Sequence, residues 1–253
     1  MEKITISETG SNFGKHYEDN GYVAIKNIIS QKSITRLQND LISLFSKHFP
    51  EVKDAASLDA KVIDLNTNDP SHLHKLQISA TKLSSFYSIL AEMHDTLAGF
   101  FPSSVDIFFS SLGYVLGIPA SQRLSYDWHQ DGTYHDGENK KTIHLWFPIF
   151  YLASLENGAM SLIENSHELG LLDFKKTKLQ NGGYTTNKVA NTENILKNRR
   201  ELVCEMDVGD CIFFSDELIH RSNINHTNQC RIAGVLKYSL FASYDTHSGL
   251  VGI

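Results

Sequence analysis

The stretch "WHQDGTYHDG", residues 128–137, sets His129 and Asp131 two positions apart in an otherwise plain chain. An imidazole and a carboxylate this close are either half of a metal site or an ordinary acidic turn, and the pair alone does not decide between them. The C-terminal stretch "GDCIFFSDELIHRSNINHTNQCRIAGVLKY" adds His220, then Ser222, then Arg231. Two histidines and one aspartate can bind one face of an octahedral metal and leave three positions open, as in non-haem Fe(II) oxygenases. Imidazole nitrogens with one hard carboxylate oxygen suit Fe(II), and the carboxylate lowers the charge of the bound dication. The open positions matter because a cosubstrate and O2 must both reach the metal. Zinc more often takes a closed or nearly closed tetrahedral set.

An arginine near such a site has a defined use. A dicarboxylate cosubstrate chelates the metal at one end, and its far carboxylate needs a planar, bidentate partner, which guanidinium supplies better than lysine. Arg231 is the candidate; the plainer reading is a surface arginine at a strand edge. Ser222 can offer a hydroxyl to the same carboxylate, or be a turn serine.

The elements that must hold these residues change character along the chain. Residues 1–104 read as mostly helical. In "SQKSITRLQNDLISLFSKHF" the positions Ile34, Leu37, Leu41, Leu44 and Phe45 recur at helical spacing, and Ser30 or Ser33 can cap the start. Ahead of it, "GYVAIKNII" reads as a short strand. A second helix opens after Asp69-Pro70, with a stripe from Leu73 through Leu76, Leu83, Phe86, Leu90 and Met93 to Leu97. Both stripes are core. From about Val105, short runs rich in β-branched and aromatic residues alternate with Gly, Asn and Asp turns, as in a sandwich or barrel. The polar stretch 175–201 interrupts them and reads as an insert loop, either a functional lid or a solvated surface loop.

Composition removes several classes. The chain of 253 residues has 41% apolar residues and 16 glycines, enough for a full core in one domain. The net charge of −6 is spread along the chain, with no basic stripe for nucleic acid. The longest nearly apolar run, "IHLWFPIFYLA", is too short to span a bilayer. The N-terminus has no signal-peptide core. Cys204, Cys211 and Cys230 are odd in number and form no CxxC, which predicts free thiols in a reducing, cytoplasmic compartment.

Taken in order, "WHQD" from Trp128, "HLWFPI" from His144, "NGAMSLIENSHELGLL" from Asn157, and "GDCIFFSDELIHRS" from Gly209 with Arg231 behind it resemble the phytanoyl-CoA dioxygenase (PhyH) family of Fe(II)/2-oxoglutarate oxygenases. "YEDNGYVAIKNIIS" near the N-terminus resembles the family's opening. The resemblance covers most of the chain. It implies His129, Asp131 and His220 as Fe(II) ligands, Arg231 on the distal carboxylate of 2-oxoglutarate with Ser222 beside it, and Trp146 lining the cosubstrate pocket. It implies a mainly β fold with flanking helices: a double-stranded β-helix, or jelly roll, over residues 105–245 with the N-terminal helices packed outside. The activity it implies is hydroxylation of an aliphatic C–H, with release of succinate and CO2. Related halogenases lack the carboxylate ligand, so Asp131 points to hydroxylation. The family's Gly-Pro and Pro-Gly-Ser-His become Gly158-Ala159 and Glu164-Asn165-Ser166-His167 here. Asn can take the turn conformation of Gly, so His167 reads as structural.

If Trp146 points inward, strand alternation puts Thr142 and His144 on the same face, as pocket residues without an assigned role. His135 reads as a surface histidine or a residue near substrate. The expected partners are a small-molecule substrate and O2, with neither nucleic acid nor membrane. The family's substrates run from acyl-CoAs and amino acids to alkaloids and phosphonates, and the sequence does not choose among them. Two other readings share the fold: a cupin-like metalloenzyme that does not use 2-oxoglutarate, and a non-catalytic jelly-roll binding module.

Overall fold

A computed structural model describes residues 2–7, 12–101, 105–121, 126–134, 141–178 and 185–242. The elements run β1 (Glu2–Lys3), β2 (Ile6–Ser7), α1 (Phe13–Asn20), β3 (Tyr22–Ile25), α2 (Gln31–Ser46), α3 (Ala55–Asn68), α4 (Pro70–Ala80) and α5 (Ser84–Ala98). Then follow β4 (Val105–Gly117), β5 (Lys141–Pro148), β6 (Met160–Ile163), β7 (Phe174–Lys178), β8 (Thr185–Val189), α6 (Thr192–Leu196), β9 (Glu201–Val203), β10 (Cys211–Ser215), β11 (His220–Ser222) and β12 (Arg231–Ala242).

Helix and strand occur in comparable amounts, so the fold is mixed α/β and not mainly β. The single long helix expected after Pro70 is two. Its period breaks at Thr81–Leu83, and α5 restarts the stripe on Phe86, Ile89, Met93 and Leu97. Helix α3, unannounced by a strong stripe, is fixed at its start by a reciprocal capping box between Asp54 and Ser57. Ser30 is the cap of α2: its hydroxyl accepts from the Ser33 N–H.

The strands form a six-stranded sheet, β2-β3-β10-β5-β12-β4, and a four-stranded sheet, β1-β9-β6-β11. Alternation along each strand splits the large sheet's residues between two cores. Ile143, Leu145 and Phe147 of β5, with Leu236 and Tyr238 of β12, pack on the helices through Leu37, Phe86 and Met93. Trp146, Ile212, Phe214 and Ala233 face the small sheet through Met160, Leu162 and Leu202. The result is three layers: helices, large sheet, small sheet. Among the described residues no strand pairing closes the sheets into a barrel.

The stretch 175–201 carries regular structure. β7 and β8 pair as an antiparallel ribbon, and α6 follows. β7 is exposed, but Thr186, Asn187 and Val189 of β8 are buried.

Candidate active site

The turn carrying His129 and Asp131 is held by backbone. His129 and His220 exchange N–H···O=C bonds of 2.9 and 3.0 Å, adding one bridge to the free edge of β11. Gln130, between the two, points away from the cavity and is fully buried. Its amide donates to the carbonyls of Gly170 (2.8 Å) and Glu217 (2.6 Å), and its oxygen accepts from the Leu172 N–H (2.9 Å). Asp131 opens a short 3-10 turn, Asp131–Tyr134, whose Gly132 N–H donates to the Asp216 carbonyl. The β8 ribbon braces the same turn: the Val189 N–H donates to the Trp128 carbonyl, and the Asn187 side chain donates to the Thr133 carbonyl at 2.9 Å. Trp128 packs with Ile163, Val189 and Ile219 and lies under the Arg221 guanidinium, 4.5 Å from its ring centre.

These constraints bring His129, Asp131 and His220 together as a group that could hold a metal ion. Nδ1 of His129 lies 2.8 Å from the Asp127 carbonyl and Nδ1 of His220 lies 3.0 Å from the Leu218 carbonyl. Each carbonyl demands an N–H, so each ring offers its Nε2 lone pair to the cavity. Those two nitrogens stand 3.6 and 4.0 Å from the Asp131 carboxylate. Burial, assisted by His129, pushes His220 down to about 3, which keeps the ligand neutral. Burial alone would raise Asp131, but His144, His220 and His129 outweigh it and hold the carboxyl well below its ordinary range. The donor set, two neutral imidazoles and one carboxylate in a buried pocket, fits an Fe(II) facial triad.

His144, on β5, is completely buried and places Nδ1 2.7 Å from Asp131 Oδ2, a close polar contact without the alignment of a regular hydrogen bond. Its Nε2 lies 3.0 Å from the Thr142 hydroxyl, which lies 3.0 Å from Asp216 Oδ2. The Thr142 N–H also donates to Asp216, at 3.1 Å.

A cavity of about 430 Å³ opens over the triad, within the range of small-molecule sites. Arg231, Trp146 and Ser222 line it together with the three candidate ligands. Arg231 is 3% exposed, and its Nε and Nη1 have no hydrogen-bond partner. Burial lowers it to about 10, so it stays charged at neutral pH. Its guanidinium lies over Trp146, 5.4 Å from the ring centre. Gly117, its register partner on β4, leaves the room: a Cβ there would come within 3.0 Å of the guanidinium. A buried, charged fork with unmet donors is what the far carboxylate of a metal-chelating diacid requires. It is not a strand-edge surface residue.

The other expectations resolve as follows. Asn165 takes the left-handed conformation (φ 52°), and His167 faces the Glu18 carbonyl at 3.3 Å, away from the metal group. His135 lies outside the described residues. The sequence reading missed Gln130 and Asp216, which hold the turn, and Tyr126, Tyr134, Met160, Phe214 and Lys237, which line the cavity. Lys237 was within reach of the same logic, since Arg231, Ala233, Val235 and Lys237 alternate on one face of β12. The cysteines are unpaired and buried. No helix among the described residues is long and apolar enough to cross a membrane.

Comparison with known proteins agrees with this geometry. The profile of the phytanoyl-CoA dioxygenase (PhyH) family matches residues 17–233. The peroxisomal phytanoyl-CoA dioxygenase of Homo sapiens is 24% identical over 242 residues, covering 92% of this chain and 68% of that protein. Among solved structures, EvdO2 from Micromonospora carbonacea var. aurantiaca in complex with 2-oxoglutarate superposes with a TM-score of 0.58 at 14% identity, covering 94% of this chain and 93% of that one. EvdMO1 superposes with a TM-score of 0.54 at 17% identity. The match covers 90% of this chain and about half, 49%, of the longer one.

Proposed function

The chain belongs to the phytanoyl-CoA dioxygenase (PhyH) family, and from that premise we propose that it is an Fe(II)- and 2-oxoglutarate-dependent dioxygenase that hydroxylates an aliphatic C–H of a small organic substrate. His129, Asp131 and His220 hold Fe(II) through Nε2, a carboxylate oxygen and Nε2. Arg231 takes the distal carboxylate of 2-oxoglutarate, Ser222 adds a hydroxyl beside it, and Trp146 walls the pocket under the guanidinium. The sheets are a distorted double-stranded β-helix with the triad at its mouth. Three buried free thiols support a reducing compartment, which we take to be the cytoplasm.

The observation that carries this reading is the buried Arg231 with two unmet donors in the triad's own cavity. A cupin-like enzyme without 2-oxoglutarate, or a binding module, has no use for a charge held at that cost. Bound iron with its diacid and O2 would supply the oxidising chemistry, one oxygen atom going to succinate as CO2 is lost and the other to the hydroxylated C–H. The protein's part is positional. The two carbonyl-fixed imidazoles present fixed lone pairs. Asp131 occupies the third position, which argues for hydroxylation over halogenation. Tyr126, Tyr134, Met160 and Phe214 wall the cavity where the target carbon must sit.

The test is anaerobic titration of apoprotein with Fe(II) and then 2-oxoglutarate. A weak visible charge-transfer band should appear and be absent in His220→Ala. Iron binding without a band would favour the cupin-like reading, and no metal binding would overturn the oxygenase reading altogether.

A further inference from the structure

We infer that the substrate carries an anionic group and that Lys237 receives it; the inference rests on the reading of the site as an Fe(II)/2-oxoglutarate centre. Three charged side chains line the cavity: Asp131, Arg231 and Lys237. The first two are matched once the site is loaded. The metal dication and Arg231 balance Asp131 and the two carboxylates of the diacid, so the loaded centre is formally neutral. Lys237 is then left over. It is half-buried, and no carboxylate among the described residues lies within ion-pair distance of it. Asp216, behind Thr142, does not line the cavity and is engaged by the Thr142 N–H and hydroxyl. A half-buried cation in the cavity wall, with no counter-charge among the described residues, leaves a charge that an anionic ligand can meet.

Its place in the fold separates it from the cosubstrate. Arg231 and Lys237 share one face of β12, with Ala233 and Val235 between, so about 20 Å of strand divides them. Lys237 pairs in register with His144, the residue that touches Asp131. Arg231 pairs with Gly117, at the far end of β4. A five-carbon diacid anchored on Arg231 has no carboxylate left for Lys237. Apart from its charged and histidine side chains, the cavity that Lys237 shares with the triad is lined mostly by apolar and aromatic residues, among them Leu112, Tyr134 and Phe214. The substrate class that matches is an organic acid with an aliphatic or aryl body, its acid group on Lys237 and its body over the metal.

The experiment starts from the anaerobic Fe(II)·2-oxoglutarate complex and adds matched probes: octanoate and 3-phenylpropanoate, their primary amides, octylamine and 3-phenylpropylamine. Two readouts are taken, the position of the charge-transfer band and the rate of succinate formation on admitting O2. The acids should shift the band and speed succinate formation, and the amides and amines should do neither. Lys237→Met should weaken the acids at least tenfold while the band still forms at the same 2-oxoglutarate concentration. Lys237→Glu should transfer the response to the amines. Amides as effective as acids, acids unaffected by Lys237→Met, or silence from every acid against an intact band would each overturn the inference. An acid that bleaches the band is displacing the diacid at Arg231 and counts against it. Failure of the band to form in the unmodified protein would instead remove the oxygenase reading, and this inference with it.

Discussion

His144 Nδ1 stands 2.7 Å from Asp131 Oδ2, so the carboxylate proposed to bind the metal is in close polar contact with a histidine that is itself completely buried. The contact comes from the opposite sheet: His144 lies on β5, while the Asp131 turn hangs from the edge of β11. A carboxylate contacted on one oxygen presents the other in a fixed direction, and groups that orient a metal ligand in this way typically carry 10–100-fold of metal affinity. His144→Ala should therefore weaken Fe(II) binding by about that factor, read by anaerobic titration, with the fold intact by circular dichroism. His144→Gln, which keeps a polar group near Asp131, should recover part of the loss. Unchanged affinity in His144→Ala would reduce the contact to packing.

Replacing Asp131 itself separates ligation from architecture. Asp131→Ala should abolish hydroxylation, and the turn should persist because His129, Gln130 and Gly132 are held by bonds that do not involve the Asp131 side chain. Turnover that survives would refute the ligand role.

Arg231 sets stability against cosubstrate binding. A buried guanidinium with two unmet donors is destabilising until a carboxylate arrives. Arg231→Met, which keeps length and removes charge, should leave the metal-free protein as stable or raise it by roughly 1–4 kcal/mol. Formation of the 2-oxoglutarate band should meanwhile be lost. Arg231→Lys keeps charge without the planar fork and should weaken 2-oxoglutarate binding with less effect on stability. Gly117→Ala should act in the same sense by crowding the guanidinium from β4. Thermal melts with and without 2-oxoglutarate check all three: the ligand-induced rise in Tm should shrink in each variant.

The candidate ligand residues were legible because a facial triad has a fixed chemistry, and His220 and Arg231 sit at strand starts, while His129 lies in a turn. β10 and the start of β12 fall where the apolar runs place them. What the sequence hid is of another kind. Gln130 looks like a spacer between two ligands, yet its three hydrogen bonds reach Gly170, Leu172 and Glu217, and nothing local forecasts contacts 40 and 87 residues away. The 175–201 stretch reads as a loop because β7 is exposed throughout and polar after Phe174, whereas its partner strand buries Thr186 and Asn187 against the Asp131 turn through polar contacts that a hydrophobic pattern cannot register. α3 forms despite its weak stripe, through its capping box and tertiary packing, and the stripe that reads as one helix breaks at Thr81–Leu83 into α4 and α5. Gln130→Ala should accordingly lower both stability, by about 2–4 kcal/mol from unmet buried carbonyls and an unmet amide, and metal affinity. Urea unfolding beside the Fe(II) titration would separate the two effects.

Asp59, on α3, offers a test of stability remote from the site. It is 5% exposed, and burial raises its carboxyl to about 6, with Tyr151 and the Cys230 backbone offsetting only part. The folded chain then holds a proton at Asp59 between about pH 4 and 6 that the unfolded chain has released. The native state binds more protons in that window, so this group's effect on stability is favourable below it and is lost as pH rises through 6. The loss is on the order of 3 kcal/mol. Asp59→Asn removes the ionisation without changing the size of the side chain. It should match the unmodified protein near pH 4 and exceed it by about that amount at pH 8, in paired urea unfolding curves of the metal-free protein. A stability difference independent of pH would mean that Asp59 stays protonated throughout or finds a partner on ionising.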